Sequence, residues 1–134
     1  MEERVDPGPT TAVVFFAHGS SVEAANDGVR EAARAAAARA GFERWAAAFL
    51  EGGRPDLAAA VDHLAAGGAT CILIVPYFLT LGLHLQRDLP RLVAESARRH
   101  PGVEIRCGEP LEGRAELIEM LAVRALETLR GKPG

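Results

Sequence analysis

The feature that most constrains this chain is its regular alternation. Four short apolar runs rich in β-forming residues are each followed by a stretch with helical character. The runs are Thr11 to Ala17 (TAVVFFA), Phe42 to Leu50 (FERWAAAFL), Thr70 to Val75 (TCILIV) and Val103 to Cys107 (VEIRC). The first and third are continuously apolar, as expected of strands covered on both faces. Strand and helix in strict alternation imply a mostly parallel sheet, because parallel neighbours need a crossover and a helix supplies it.

The helical stretches carry their own punctuation. Ser21 is expected to cap the first, which is alanine-rich and ends at Gly41, with Gly28 a local weak point. Asp56 is expected to cap the second, DLAAAVDHLAAGG. A long loop, PYFLTLGLHLQR, is expected to lead to Asp88 and a third helix, LPRLVAESARRH, with Pro90 in its first turn. The last, GRAELIEMLAVRALETLRG, has apolar residues at helical spacing. The expected fold is a three-layer α/β sandwich, flavodoxin-like, with about four strands and helices on both faces. Residues 1–10 read as a tail, 11–130 as one domain and 131–134 as a second short tail.

Charge and cysteine usage exclude several classes. A net charge of −3 gives no reason to expect a nucleic-acid partner, since such partners carry basic faces. Cys71 and Cys107 lie far apart and form no CxxC pair, so neither a disulfide framework nor a thiolate zinc site is expected, and both read as buried strand residues. MEERVDPGPTT lacks the apolar core of a signal peptide, and no apolar run approaches the roughly 20 residues that a membrane helix needs. The expectation is a cytoplasmic protein without membrane or nucleic-acid partners.

The chemistry concentrates at strand ends. Ligands of open α/β sheets bind beyond the carboxyl ends of the strands, where the strand order reverses. With the order 2-1-3-4, strands one and three flank that point. His18 follows strand one directly and His84 lies in the expected loop after strand three, so the topology brings both to one crevice. Imidazole is a good ligand for divalent Co, Ni, Fe and Zn, and two of them leave positions open for water or substrate. Glu51, just past strand two, is a candidate third ligand or proton acceptor. Gly19, Ser20 and Ser21 lead into a helix N-terminus, which favours an anionic group, and Gly82 frees the backbone beside His84.

These residues carry a resemblance. AHGSS at Ala17 to Ser21, AFLEGGRPDL at Ala48 to Leu57 and PYFLTLGLHLQRDLP at Pro76 to Pro90 are similar, in order and spacing, to segments of the small class II chelatases of tetrapyrrole biosynthesis, the sirohydrochlorin cobaltochelatase group. Ala17 departs from the glycine that this family often has before the histidine. The resemblance runs from about Thr11 to about Leu129. It implies a chelatase-like fold and ATP-independent insertion of a divalent metal into sirohydrochlorin, Co²⁺ on the way to cobalamin, with Fe²⁺ or Ni²⁺ as alternatives.

The metal is then a substrate, held by His18 and His84, and no nucleotide is required. His18, or Glu51 in its place, accepts the pyrrole protons. Ser20, Gly53, Leu79, Thr80, Leu81, Gly82 and Leu83 are placed against the macrocycle, with Phe78 beside the leucines covering its face. Arg54 and Arg87 are placed at its carboxylates. Larger members contain two such modules in one chain, so a homodimer is implied for a single module.

The same residues are open to other readings. A strand ending in His-Gly also suits the oxyanion loop of α/β-hydrolases, but no G-x-S-x-G elbow is present. A non-catalytic module that binds metal or tetrapyrrole would use the same histidines. His63, within a helix, and His100, before Pro101, read as surface or capping residues.

Overall fold

The computed structural model describes residues 5–79 and 81–131, with His84 described by its backbone alone. Four parallel strands form one sheet in the order β2-β1-β3-β4: β1 is Thr11–Ala17, β2 Arg44–Phe49, β3 Cys71–Tyr77 and β4 Glu104–Cys107. Helices α1 (Glu23–Ala40), α2 (Leu57–Ala66), α3 (Leu83–Arg99) and α4 (Ala115–Leu129) alternate with them. The three-layer α/β fold is as the alternation implied, and the strand order is the flavodoxin-like 2-1-3-4 supposed for the crevice.

The core lies mainly on one face of the sheet. Ala12, Val14 and Phe16 of β1 and Ile72 and Ile74 of β3 pack against α2 and against Leu85 and Leu89 of α3. A smaller cluster on the opposite face joins Ala17, Ala47 and Phe49 to Ala33 of α1. The small α1 residues Ala33 and Ala37 are fully buried, which lets this helix lie close to the sheet. Among the described residues, no helix is long and apolar enough to cross a membrane.

Local rules account for most boundaries. Asp56 accepts a hydrogen bond from the Ala59 N–H at 2.8 Å and so caps α2. Helix α1 ends at Gly41, whose N–H reaches the Ala37 carbonyl. It does not begin on a Ser21 cap: Val22 is the cap residue and no side chain caps it. Strand β3 continues through Pro76 to Tyr77. Gly108 donates to the Ile74 carbonyl at 2.8 Å, and the next donor on that edge of β3 would be residue 76. A proline there has no N–H to give, and the β3–β4 pairing stops at Ile74 and Cys107.

The largest departure from the sequence reading is α3. It starts at Leu83, so Asp88 is not its cap, Pro90 lies inside it, and His84 stands in its first turn rather than in a loop. The cause is packing. Leu85, Leu89 and Ser96 are buried, with Leu92 and Val93 partly so, which gives an apolar stripe that starts before the proline. Burial along that stripe outweighs the single backbone bond that Pro90 cannot donate. At its far end His100 is the cap residue, and its Nε2 meets Asp62 Oδ1 of α2 at 2.7 Å, whereas His63 is exposed. Cys71 is half-buried and Cys107 is exposed, not buried as expected of strand residues. Desolvation by its neighbours, helped by Glu109, still raises the Cys107 thiol above its ordinary pKa.

Pro90→Ala tests where α3 begins. A helix continuous from Leu83 predicts a gain in unfolding free energy of about 1–3 kcal/mol, because the restored N–H completes an interior turn. Chemical denaturation that shows no change, or a loss, would place Pro90 in a first turn instead.

Candidate functional site

The three longer strands end flush. Ala17 pairs with Phe49 on one side and with Tyr77 on the other, so the residues that follow all emerge at one rim. His18 emerges from the middle strand and is exposed. The β1–β2 pairing then continues for two rungs beyond the strands: Leu50 N–H donates to the Ala17 carbonyl at 2.9 Å and Glu51 N–H to the His18 carbonyl at 3.0 Å. Glu51 is thereby locked beside His18.

The two side chains face each other. His18 Nε2 lies 3.7 Å from Glu51 Oε1, with the side chains 56% and 71% exposed. His18 Nδ1 lies 3.3 Å from the Gly19 carbonyl. In the tautomer with its proton on Nδ1, the ring donates to that carbonyl and turns the Nε2 lone pair toward the carboxylate. A divalent ion bound to both atoms at about 2.0–2.2 Å would place them roughly 3.0–3.4 Å apart. The observed gap is a few tenths of an ångström wider, so side-chain rotation alone would close it.

Glycines make this rim possible. Gly19 has φ +92°, and a Cβ there would lie 1.7 Å from the Glu51 carbonyl oxygen. Gly52 has φ +72°, and its Cβ would approach the Ser20 carbonyl carbon and oxygen to 2.8 Å. The β1–α1 and β2–α2 loops thus touch backbone to backbone. Asn26 of α1, only 1% exposed, seals the contact. Its Oδ1 accepts from Ser20 N–H at 2.9 Å, and its Nδ2 donates to the Ser20 carbonyl at 2.9 Å and to the Gly52 carbonyl at 3.0 Å. Arg30 adds a second tie, donating to the Arg54 carbonyl at 3.1 Å with its guanidinium 5.1 Å from the Phe49 ring centroid. Neither Asn26 nor Arg30 was singled out from sequence. Within an alanine-rich helix both read as solvated polar positions, and the partners that tie them to the β2–α2 loop, Gly52 and Arg54, lie 26 and 24 residues away.

The remaining candidates divide by place. Ser20 is held by Asn26, and its hydroxyl accepts from Val22 N–H at 3.0 Å. Gly53 is half-buried beside Phe49, and Arg54 is exposed next to it. Leu79 and Leu83 are exposed by 61% and 73%. Leu81 is partly buried against the core and Gly82 is exposed. Arg87 is exposed on α3. Phe78 does not cover an open site: it is buried, its ring edge-on to Phe16 at 6.0 Å between centroids. Thr80 lies outside the described residues, as does the side chain of His84. The backbone sets His84 in the first turn of α3, six residues after Tyr77 closes β3 at this rim. Among the described residues, no group of three or more His, Cys, Asp or Glu side chains stands ready to enclose a metal ion.

An open parallel sheet in the order β2-β1-β3-β4, flanked by helices and carrying an exposed imidazole and carboxylate face to face beyond its strand ends, is a flavodoxin-like α/β module. The CbiX family model matches residues 12–128, and the chain belongs to the CbiX family. It is 30% identical over 118 residues to the sirohydrochlorin cobaltochelatase of Sulfurisphaera tokodaii, covering 88% of this chain and 93% of that one. A cobalamin-biosynthesis CbiX protein from Marinobacter aquaeolei superposes with a TM-score of 0.80 at 27% identity, over 91% of this chain and 99% of that one. The sirohydrochlorin chelatase SirB from Bacillus subtilis subspecies spizizenii, solved in complex with cobalt, superposes with a TM-score of 0.82 at 25% identity. This chain spans 50% of that SirB chain, and SirB from Bacillus subtilis has also been solved with Fe³⁺.

Gly19→Ala is expected to cost more than about 2 kcal/mol, from the left-handed backbone and the collision with the Glu51 carbonyl together. Urea denaturation checks this, and a variant as stable as the parent would mean that the two loops are not in contact.

Proposed function

We propose that this chain inserts a divalent metal ion into sirohydrochlorin without ATP, with Co²⁺ as the first metal and Fe²⁺ or Ni²⁺ as alternatives, in cobalamin or related tetrapyrrole synthesis. The observation that carries the reading is the 3.7 Å approach of His18 Nε2 to Glu51 Oε1 at an exposed strand-end rim, in a chain of the CbiX family. The donor set is compatible with all three ions and does not choose between them.

The metal is a substrate, so it must be held and then released. In this reading His18, Glu51 and His84 hold it through too few protein ligands to close its coordination sphere, which leaves positions for the ring nitrogens. Insertion of M²⁺ releases two pyrrole protons. His18 Nε2, vacated as the metal passes to the ring, accepts them one at a time and hands each on to water before the next, with Glu51 the alternative acceptor; both side chains are exposed to solvent. Leu79 and Leu83 supply exposed apolar surface for the macrocycle, and Ser20, Gly53, Leu81 and Gly82 form the rim around it. Arg54 and Arg87 meet its carboxylates, as they must if an acidic chain is to attract a polyanion.

A homodimer belongs to the same reading. Helix α4 has no buried residue, and Ile118, Leu121, Leu126 and Leu129, at i, i+3, i+8 and i+11, are between 56% and 82% exposed. Beside it an apolar groove of about 780 Å³ runs along Phe15, Ala36, Tyr77, Leu79, Leu111 and Met120. Such a surface on a single module suits a second copy, and closed twofold pairs are the commonest assemblies. Half the length of a SirB chain is matched by one copy here, which is consistent with two copies standing where that chain has more polypeptide.

Anaerobic absorbance of sirohydrochlorin with catalytic amounts of protein tests the activity. Many turnovers above the uncatalysed rate are expected, falling by about 10²-fold or more in His18→Ala. A shift that stops at one equivalent would make the chain a binding module. Leu121→Glu is expected to convert a dimer to a folded monomer in light scattering. A monomeric parent would remove the dimer from the account.

A further inference from the structure

We propose that Asn26 is a positioning residue, which sets the separation of His18 and Glu51 by clamping together the two loops that carry them. The inference rests on the reading of His18 and Glu51 as metal-holding groups. Its basis is the bonding of one buried amide. Asn26 spends its acceptor on Ser20 N–H and its donors on the carbonyls of Ser20 and Gly52, at 2.9, 2.9 and 3.0 Å, with a longer approach of 3.4 Å to Glu23 Oε2. Ser20 lies two residues after His18 and Gly52 lies one residue after Glu51. The amide therefore bridges the two loops immediately behind the facing side chains.

The side-chain chemistry is selective. Only a short carboxamide offers an acceptor and two donors within this reach. A carboxylate would turn an oxygen toward the Ser20 and Gly52 carbonyls, and an alanine would leave buried backbone groups without partners. Asn26 sits on α1, which is anchored to the sheet through Ala33 and Ala37, so the clamp refers both loops to a fixed frame. His18 and Glu51 are themselves exposed, and the hydrogen bond of the His18 ring goes to the Gly19 carbonyl of its own loop, so their spacing depends on the backbone beneath them. A shift of even a few tenths of an ångström there matters to a site whose donors stand 3.7 Å apart.

The test is Co²⁺ titration of the full chain by calorimetry, with circular dichroism to establish folding. Asn26→Asp keeps the size and the acceptor but has no Nδ2 hydrogens. It is expected to weaken Co²⁺ binding by about 10–100-fold, the range found when the groups supporting a metal ligand are removed. In a His18→Ala background the same change is expected to matter less than about threefold, because there is no longer a pair to position. A purely structural role would lower thermal stability and leave Co²⁺ affinity unchanged, or would weaken it equally in both backgrounds; either result overturns the proposal. Where Asn26→Asp does not fold, Gly52→Ala decides. Its Cβ would press on the Ser20 backbone and part the same loops without entering the core, so it should reproduce the loss of affinity, and parental affinity would overturn the clamp. A parent chain that takes up no Co²⁺ sinks the reading of the site, and the role of Asn26 with it; a parent that binds beside an Asn26→Asp that binds equally well sinks the clamp alone.

Discussion

Everything at the rim depends on β1 being hydrogen-bonded along both of its edges. With β2 on one side and β3 on the other, the strand is fixed in register from Ala12 to Ala17, and its two faces bury Val14 and Phe16 in one core cluster and Ala17 in the other. A strand held in this way has no freedom at its end. The residue that follows it must appear where the pairing stops, and that residue is His18. Two extra rungs carry the β1–β2 pairing onto Leu50 and Glu51, so the carboxylate is placed by the same backbone bonds as the imidazole. The site is thus a continuation of the sheet, built from main-chain pairing before any side chain contributes.

This dependence explains which features could be read from sequence. Strands β1 and β3 announce themselves as apolar runs, and the alternation with helices leaves parallel pairing as the available topology. Once the flavodoxin-like order 2-1-3-4 is supposed, His18 and the loop bearing His84 come to one crevice, and Glu51, just past β2, comes to the same rim. What escaped was long-range or concerned which side of an element is covered. Pro90 reads locally as a helix start, whereas the buried stripe of Leu85 and Leu89 extends α3 back to Leu83. Phe78 reads as one more exposed residue in a leucine-rich loop, but it turns inward onto Phe16. Ser21 has the chemistry of a cap, yet the polar group that organises that loop is Asn26, through partners up to 26 residues distant. The apolar period of α4 showed a helix and could not show that no side chain of it is buried.

The openness of the rim fits the task assigned to it. A structural metal is enclosed by four ligands and retained. A metal that is to be transferred needs a site that orients it and yields to stronger competition, here the four nitrogens of a macrocycle. An imidazole and a carboxylate, both more than half exposed, meet that requirement better than a buried cage would. Precision then has to come from beneath the site, from Gly19 and Gly52, where no Cβ fits, and from the amide of Asn26 that joins their loops.

The proposed metal-holding role of the strand-end rim rests on His18 and Glu51, with His84 added from the first turn of α3. Cobalt K-edge X-ray absorption of the Co²⁺-loaded chain would read these ligands, because imidazole rings give a distinctive outer-shell scattering pattern. Two imidazoles with light oxygen ligands are expected in the parent, and one imidazole in either His18→Ala or His84→Ala. A spectrum with no imidazole scattering, or one that neither substitution changes, would contradict that role.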